Sequence, residues 1–465
     1  MGKIGVAVIV SSWVLAVSIL LNHIVPQPYM DEIFHIPQAQ QYCKGNLRSW
    51  DPMITTPPGL YIVSLAYVAS LFPGLFSIKV DASFSEACSS SILRSTNGVL
   101  AVFCSILVYN ILTHLRPSLN DRKVTLRTVV LALYPLHWFF TFLYYTDVAS
   151  LTAVLASYLM SLKKKHFFSS LVGALAVLIR QTNIIWIFFI ACTGVLDYIL
   201  DQQKDSANLT DSSQSQDFFH EVCEISSRLW QFKWELIASF WPYLIIIAAF
   251  IIFVFWNGSI VLGAKEAHTV SPHFAQLMYF SLVSVLFMTP VHFTIGQAAA
   301  LAQSFCKKNK LVIFFQLCTA LTVGFLSVHF FSIAHPYLVA DNRHYTFYLW
   351  RKVIKSHWSM KYLLVPLYVY SWMSIFKILA KSRRKTWVLA YFLATAATLI
   401  PAPLIEFRYY TIPFFFLILH AHVDDDRSWL LMGILYVATN TFIMYMFLFR
   451  PFSWAHGAGV QRFIW

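Results

Sequence analysis

Uninterrupted apolar runs of about 18 residues or more recur along this chain, and that pattern leaves few folds open to it. Inside hydrocarbon every backbone N–H and C=O must find a partner within the protein, so a spanning segment is a helix or a strand of a closed barrel. Barrel strands alternate apolar and polar residues. These runs are continuous, so the expectation is an all-α polytopic membrane protein. Composition agrees: of 465 residues 58% are hydrophobic, 17% aromatic and only 12% charged. The opening "MGKIGVAVIVSSWVLAVSILLNHIV" is apolar for about 20 residues and lacks a small-x-small cleavage site, which reads as a retained signal anchor.

A formal charge of +13 raises the question of nucleic acid, but the basic residues fall in short clusters between apolar runs: "KKKH" from Lys163, "KKNK" from Lys307 and "KSRRK" from Lys381. Basic loops of that kind mark the cytosolic face of a membrane protein and call for no nucleic-acid partner. Placing them in the cytosol gives about thirteen spans, near 4–25, 92–113, 124–143, 148–162, 167–179, 183–200, 235–256, 274–293, 310–333, 362–380, 386–400, 410–423 and 428–449. The segment "PPGLYIVSLAYVASLFPG" is apolar but short and bracketed by prolines; if it crossed, the basic loop His114 to Arg127 would change sides. It is therefore expected to be re-entrant or interfacial.

The resulting layout is a first transmembrane helix at 1–25, a large lumenal loop at 26–91 holding an acidic motif and the re-entrant segment, transmembrane helices at 92–200, a polar cytosolic loop at 201–234, and C-terminal transmembrane helices with further lumenal loops at 235–465. The low-complexity stretch from Asp201 to Val222 suits a flexible loop, and its Asn208 sequon would face the cytosol unmodified. A second sequon, at Asn257, falls at a lumenal helix end. No internal repeat is visible, which counts against inverted-repeat transporters. Seven cysteines show no metal-like spacing; Cys43 and Cys88 are free to pair if both are lumenal.

With this orientation the polar residues outside the basic clusters gather on the lumenal side: "YMDEIFH", "WDPMITTPPG" with Asp51, "YYTD" ending at Asp147, "RQTN" at Arg180, "KEAHTVSPH", "ADNRHYTFY" and "EFRYY" with Glu406 and Arg408. Ionisable groups at a membrane boundary are costly unless paired or functional, and seven separate segments can converge on one cavity. Asp31 and Glu32 directly follow the first apolar run and precede His35 by about a turn. They read either as a solvated helix end or as functional carboxylates; no second ligand cluster accompanies them to make a metal site. Pro37 is expected to begin a short helix ending near Gly45. Arg343, His344 and Arg351 stand among Tyr345, Phe347, Tyr348 and Trp350, a mixture suited to a phosphate or a sugar, and equally to an aromatic belt with snorkelling arginines. Arg180 and Arg408 can each pair with a carboxylate such as Asp147 or Glu406.

The segments "YMDEIFHIPQAQQYC", "WDPMITTPPGLY", "FLYYTD", "RQTNIIW", "LVADNRHYTFYLWRKV", "KYLLVP", "LIEFRYY" and "QRFIW", in this order, closely resemble the endoplasmic reticulum alpha-1,2-glucosyltransferase family that uses dolichyl phosphate glucose. The resemblance implies a GT-C glycosyltransferase fold and addition of the third, terminal glucose to the diglucosylated dolichyl-diphosphate-linked oligosaccharide, in a multi-pass protein of the endoplasmic reticulum membrane with its active site facing the lumen. No cofactor and no metal site are expected, and the sequence leaves any need for a divalent ion open. The acidic pair matches the position of the catalytic carboxylate in that class, with Asp31 and Glu32 both candidates. Arg343, His344, Arg180, Arg408, Tyr345 and His35 become candidates for holding the donor's phosphate and sugar, and Asp147, Asp51 and Glu406 for acceptor binding or support. A beta-linked donor yielding an alpha linkage requires inversion, so one carboxylate acts as general base while cations stabilise the departing phosphate. A mannose or earlier-glucose transferase, a transporter and an accessory subunit are the competing readings.

Overall fold

A computed structural model describes residues 2–73, 86–206, 218–268, 270–297, 299, 303, 310–455 and 459–465. The Asn208 sequon and most of the "KKNK" cluster lie outside these residues. Helices dominate the described chain, and among the described residues β-structure is limited to isolated bridges, His344 with Ile464 and Phe452 with Gln461. Seven described helices are long and apolar enough to cross a membrane: Gly2–Ile24, Ser90–Leu115, Asn183–Gln202, Lys233–Asn257, Leu311–Phe331, Met360–Leu379 and Asp426–Phe449.

That number falls short of the expected thirteen for an identifiable reason: several runs that are continuous in hydropathy are interrupted in backbone geometry. The run at 124–143 divides into Asp121–Ala132 and Pro135–Phe140, with Pro135 opening the second piece because it lacks the N–H that would continue the first. The run at 274–293 divides at Met288, before Pro290, into Ala275–Phe287 and Thr289–His292. Thr146–Leu162, His166–Ile179, Lys385–Leu399 and Thr411–His420 are shorter than a full crossing, and the first and last of them are largely buried. The buried aromatic side chains include Trp186, whose ring stacks on Phe416, and Tyr134, whose ring stacks on Phe414 with centroids 4.1 Å apart.

The course of the first loop is set by its helices and by the contacts that pin them. The helix at the acidic pair spans Glu32–Cys43, so it starts one residue after Asp31 and carries Pro37 inside it, rather than starting at Pro37. The apolar segment after Pro57 forms Gly59–Leu71, 13 residues, about 20 Å long and too short to cross about 30 Å of hydrocarbon. Its first residue must be small: a Cβ on Gly59 would sit 2.5 Å from the Leu178 carbonyl carbon, so the helix packs directly on the backbone of His166–Ile179. Cys43 and Cys88 form a disulfide, tying the end of Glu32–Cys43 to the start of Ser90–Leu115. The loop after Lys233–Asn257 closes on the same region, its Leu262 and Ala264 N–H groups donating to the carbonyls of Thr55 and Pro52.

Candidate active site

Neighbours in sequence, Asp31 and Glu32 part company in space. Asp31 stands just before the helix and Glu32 is its first residue, so their side chains leave the backbone in different directions. Glu32 is fully buried and every direction of its carboxylate is occupied. Oε1 accepts from Arg94 Nε at 2.9 Å and from the Tyr144 N–H at 2.7 Å; Oε2 accepts from Arg94 Nη2 at 2.6 Å and from the Tyr29 N–H at 3.0 Å. Arg94 is itself 2% exposed, and its Nη1 donates to Asn22 Oδ1 and the Val25 carbonyl. This buried pair fastens the end of the first helix, the start of Glu32–Cys43 and the segment before Thr146 to one another.

Asp31 is open by comparison, its side chain 40% exposed. Oδ2 accepts from Arg408 Nη1 at 2.8 Å, the Asp31 N–H donates to the Tyr145 hydroxyl at 3.2 Å, and Oδ1 has no hydrogen-bond partner among the described residues. Burial pushes the Asp31 carboxyl up, but the charge and hydrogen bond of Arg408 outweigh it, with His35 and His344 pulling the same way, so it is held below the ordinary 3.8. Burial also acts against the Arg408 charge, which Glu406 and Asp31 more than restore; Arg408 Nε donates to Glu406 as well. One turn on, His35 Nδ1 lies 2.6 Å from the Tyr61 hydroxyl, and burial drives this imidazole below its ordinary 6.5, leaving it neutral near pH 7.

Around this carboxylate the structure brings together most of the residues singled out in the sequence. Arg180 holds Asp147 in a bidentate pair at 2.9 and 3.1 Å and reaches Thr146 Oγ1 at 2.9 Å. The charges of Arg180 and Asp147 act on His35 in opposite senses. Arg343 is bound by Asp341, with Nη2 to Oδ2 at 2.7 Å and Nε to Oδ1 at 2.9 Å, and its guanidinium lies over the Trp454 ring. His344 Nδ1 sits 2.9 Å from the Trp465 main-chain oxygen, which can only accept, so Nδ1 carries the proton. The Tyr345 ring packs on Phe463 and Trp465. Asp51 is not hydrogen-bonded to this cluster; Oδ1 instead accepts from the Met53 N–H at 2.8 Å, shaping the turn before Pro57.

Sequence reasoning passed over the residues that hold the cluster in place. Arg94 was legible as a lone charge inside an apolar helix, a placement that asks for a buried partner. The segment at 461–465 was legible only as the resemblance-bearing "QRFIW"; its contacts were not, because they join positions far apart in the chain. Gln461 Oε1 accepts from Arg343 Nη1 at 3.1 Å, Ile464 N–H donates to the Arg343 carbonyl, and the Tyr29 hydroxyl bridges the Arg462 carbonyl and N–H, each at 2.7 Å. Two residues ahead of Asp31, Tyr29 thus links the carboxylate's own segment to the segment that carries Arg343.

A carboxylate with one oxygen held by an arginine and the other unpartnered can take a proton from a nucleophile arriving at that open oxygen. Paired arginines with N–H groups to spare can meet an anion on the neighbouring wall. Among the described residues no group of three or more His, Cys, Asp or Glu is arranged to hold a metal ion.

The family model described as the DIE2/ALG10 family matches residues 25–419. A protein of Arabidopsis thaliana named Dol-P-Glc:Glc(2)Man(9)GlcNAc(2)-PP-Dol alpha-1,2-glucosyltransferase is 54% identical, covering 100% of both chains. A Homo sapiens protein of the same name is 34% identical over 94% of this chain and 93% of its own. Among solved structures, the Archaeoglobus fulgidus oligosaccharyltransferase in its apo form aligns over 93% of this chain and 56% of its own, with a TM-score of 0.33 and 12% identity.

Proposed function

Because the chain belongs to the DIE2/ALG10 family, we propose that it transfers glucose from dolichyl phosphate glucose to the diglucosylated dolichyl-diphosphate-linked oligosaccharide, forming the terminal alpha-1,2 linkage. The observation that carries the reading is similarity along the whole chain to proteins whose names state that donor, acceptor and linkage. It works in the endoplasmic reticulum membrane on a GT-C scaffold with the site facing the lumen, the first loop at 26–91 bearing the base and the later loops the donor cations. A disulfide between Cys43 and Cys88 in that loop supports the orientation, since such bonds persist in oxidising compartments.

Asp31 is the base. Its free Oδ1 takes the proton from the acceptor 2-hydroxyl as that oxygen attacks the anomeric carbon; the C1–O bond to phosphate breaks, and dolichyl phosphate leaves with the electron pair. Arg408 orients the base through Oδ2 rather than serving the leaving group, because attack and departure occur on opposite sides of the anomeric carbon. Arg343 and His344 face the departing phosphate, and Arg180 is fixed by Asp147 as support for the wall. Glu32 holds the scaffold.

This division of labour is open to kinetic test at Arg343 and at Arg408. Arg343→Ala is expected to raise KM for the lipid donor and lower kcat together, by about tenfold or more in kcat/KM, with thermal unfolding close to wild type; unchanged donor kinetics in the folded variant remove Arg343 from the site. For pH, a base held below 3.8 stays ionised as the solution is acidified. The midpoint of any loss of kcat/KM through base protonation is expected below that value, and the acid limb of Arg408→Gln is expected at higher pH than that of wild type, because the cation holding the carboxyl down is gone. An identical acid limb in both proteins removes Arg408 from contact with the base. Donor identity is tested by offering dolichyl phosphate glucose and dolichyl phosphate mannose in parallel with the diglucosylated acceptor. A triglucosylated product from glucose alone is expected; preferential mannose transfer overturns the reading.

A further inference from the structure

At the end of the bundle opposite the candidate active site, loops from five places in the chain surround a cavity of about 660 Å³. The helix Ser90–Leu115 runs from one to the other: Arg94 near its start joins the Glu32 cage, and Leu115 at its end lines the cavity. Its 26 residues span about 39 Å, so the two sites lie at opposite interfaces of a bilayer. The proposed glucosyl transfer makes no use of this second site.

Its walls carry three cationic side chains, Arg116, Lys164 and Arg383, and three carboxylates, Asp197, Asp201 and Asp424. Lys164 pairs with Asp201 at 2.9 Å and Arg383 approaches Asp197 at 3.7 Å, while the His422 imidazole lies 2.6 Å from Asp424, so two of the three cations have a carboxylate of their own. Arg116 has none: among the described residues no carboxylate comes within ion-pair distance of it, and its Nη2 is turned to the Ala421 carbonyl. The charges of Arg127 and Arg383 oppose that of Arg116, and the Asp424 carboxylate, beyond ion-pair distance, supports it. Behind the wall, Arg127 is 1% exposed with Nε and Nη1 lacking any hydrogen-bond partner, and its nearest carboxylate oxygen, on Asp426, is 3.8 Å away. Arg383 is pre-set by donating from Nε to His420 Nδ1 at 2.9 Å and by lying over the Trp387 ring. Like-charged guanidiniums gathered in a cavity lower their repulsion by sharing an anion, and the guanidinium fork fits phosphate oxygens. The volume falls within the range of small-ligand sites, and the depth is that of lipid headgroups.

We propose that this cavity binds a phosphate-bearing ligand through Arg116 and Arg383. The phosphate comes either from an anionic lipid headgroup in the facing leaflet or from solution. The full-length protein purified in detergent is titrated with inorganic phosphate and, separately, with dioctanoyl phosphatidic acid, against sodium chloride at matched ionic strength, while the unfolding midpoint is followed. A saturable rise in the midpoint is expected, with apparent affinity about tenfold or more weaker in Arg116→Gln and basal glucose transfer unchanged. Protection by both ligands assigns soluble phosphate as sufficient; protection by the lipid alone assigns the headgroup. Should Arg116→Gln fail to fold, acylation of Lys164 in the wild-type protein is the second measurement, since that amine is 76% exposed and lines the cavity. A bound phosphate slows its acylation. No saturable protection beyond chloride, equal protection of wild type and a folded Arg116→Gln, or Lys164 acylation indifferent to both ligands overturns the proposal. None of these readouts depends on the assignment of the glucosyl-transfer site.

Discussion

Asp31→Asn is expected to slow glucose transfer by about two to four decades while leaving donor affinity and thermal unfolding close to wild type. Asparagine keeps the volume of aspartate and can still accept from Arg408 through its amide oxygen, so the local geometry survives. What disappears is the group able to accept the 2-hydroxyl proton. Asp31 is also poised for that loss to be specific, because its side chain is 40% exposed and its Oδ1 supports no other part of the fold. Single-turnover rates with saturating donor, measured beside the unfolding midpoint, separate chemistry from stability. A variant that transfers at the wild-type rate moves the proton elsewhere, and His35, neutral near pH 7 and one turn away, is then the first group to replace.

Glu32→Gln is expected to fail in the opposite way. It leaves the Arg94 guanidinium, 2% exposed, without its counter-charge, and breaking one side of a buried pair costs about 3–5 kcal/mol. The unfolding midpoint is expected to fall by several degrees and the yield of folded protein with it, whereas protein that does fold transfers glucose at a rate far above that of Asp31→Asn. Adding Arg94→Met to Glu32→Gln is expected to recover part of the lost stability, because it removes the stranded charge while the glutamine oxygen still accepts a main-chain N–H. Only part returns, since the carboxylate also serves the Tyr29 and Tyr144 N–H groups. A Glu32→Gln protein of undiminished stability and abolished transfer would reverse the roles assigned to the two neighbours.

The contrast between these variants shows where sequence reading stops. That Asp31 and Glu32 are candidates is legible from two carboxylates beside an apolar run; which of them is open depends on Arg94 and Arg408, one about sixty residues away and the other in the last part of the chain, and no periodicity links them. The convergence of "YYTD", "RQTN" and "EFRYY" was legible because membrane-boundary charges must find one another, and Arg180 with Asp147 and Arg408 with Glu406 do so. The placement of Asp51 was not, since a carboxylate that shapes a tight turn looks in sequence like any other polar loop residue. Hydropathy located the apolar runs, seven of which, among the described residues, are helices long enough to cross, but not the backbone breaks at Tyr134 and Met288, where neighbouring prolines rather than polarity decide the matter. The bridge of His344 to Ile464 is a contact between distant segments that only the folded chain defines.

The most direct test of the central claim is the linkage made by purified wild-type protein from dolichyl phosphate glucose and the diglucosylated acceptor, read by nuclear magnetic resonance of the released oligosaccharide. One added glucose, alpha-linked to the 2-oxygen of the terminal residue, is the expected result and requires inversion in a single displacement of the kind assigned to Asp31. A beta linkage, or glucose attached at another hydroxyl, would contradict the account.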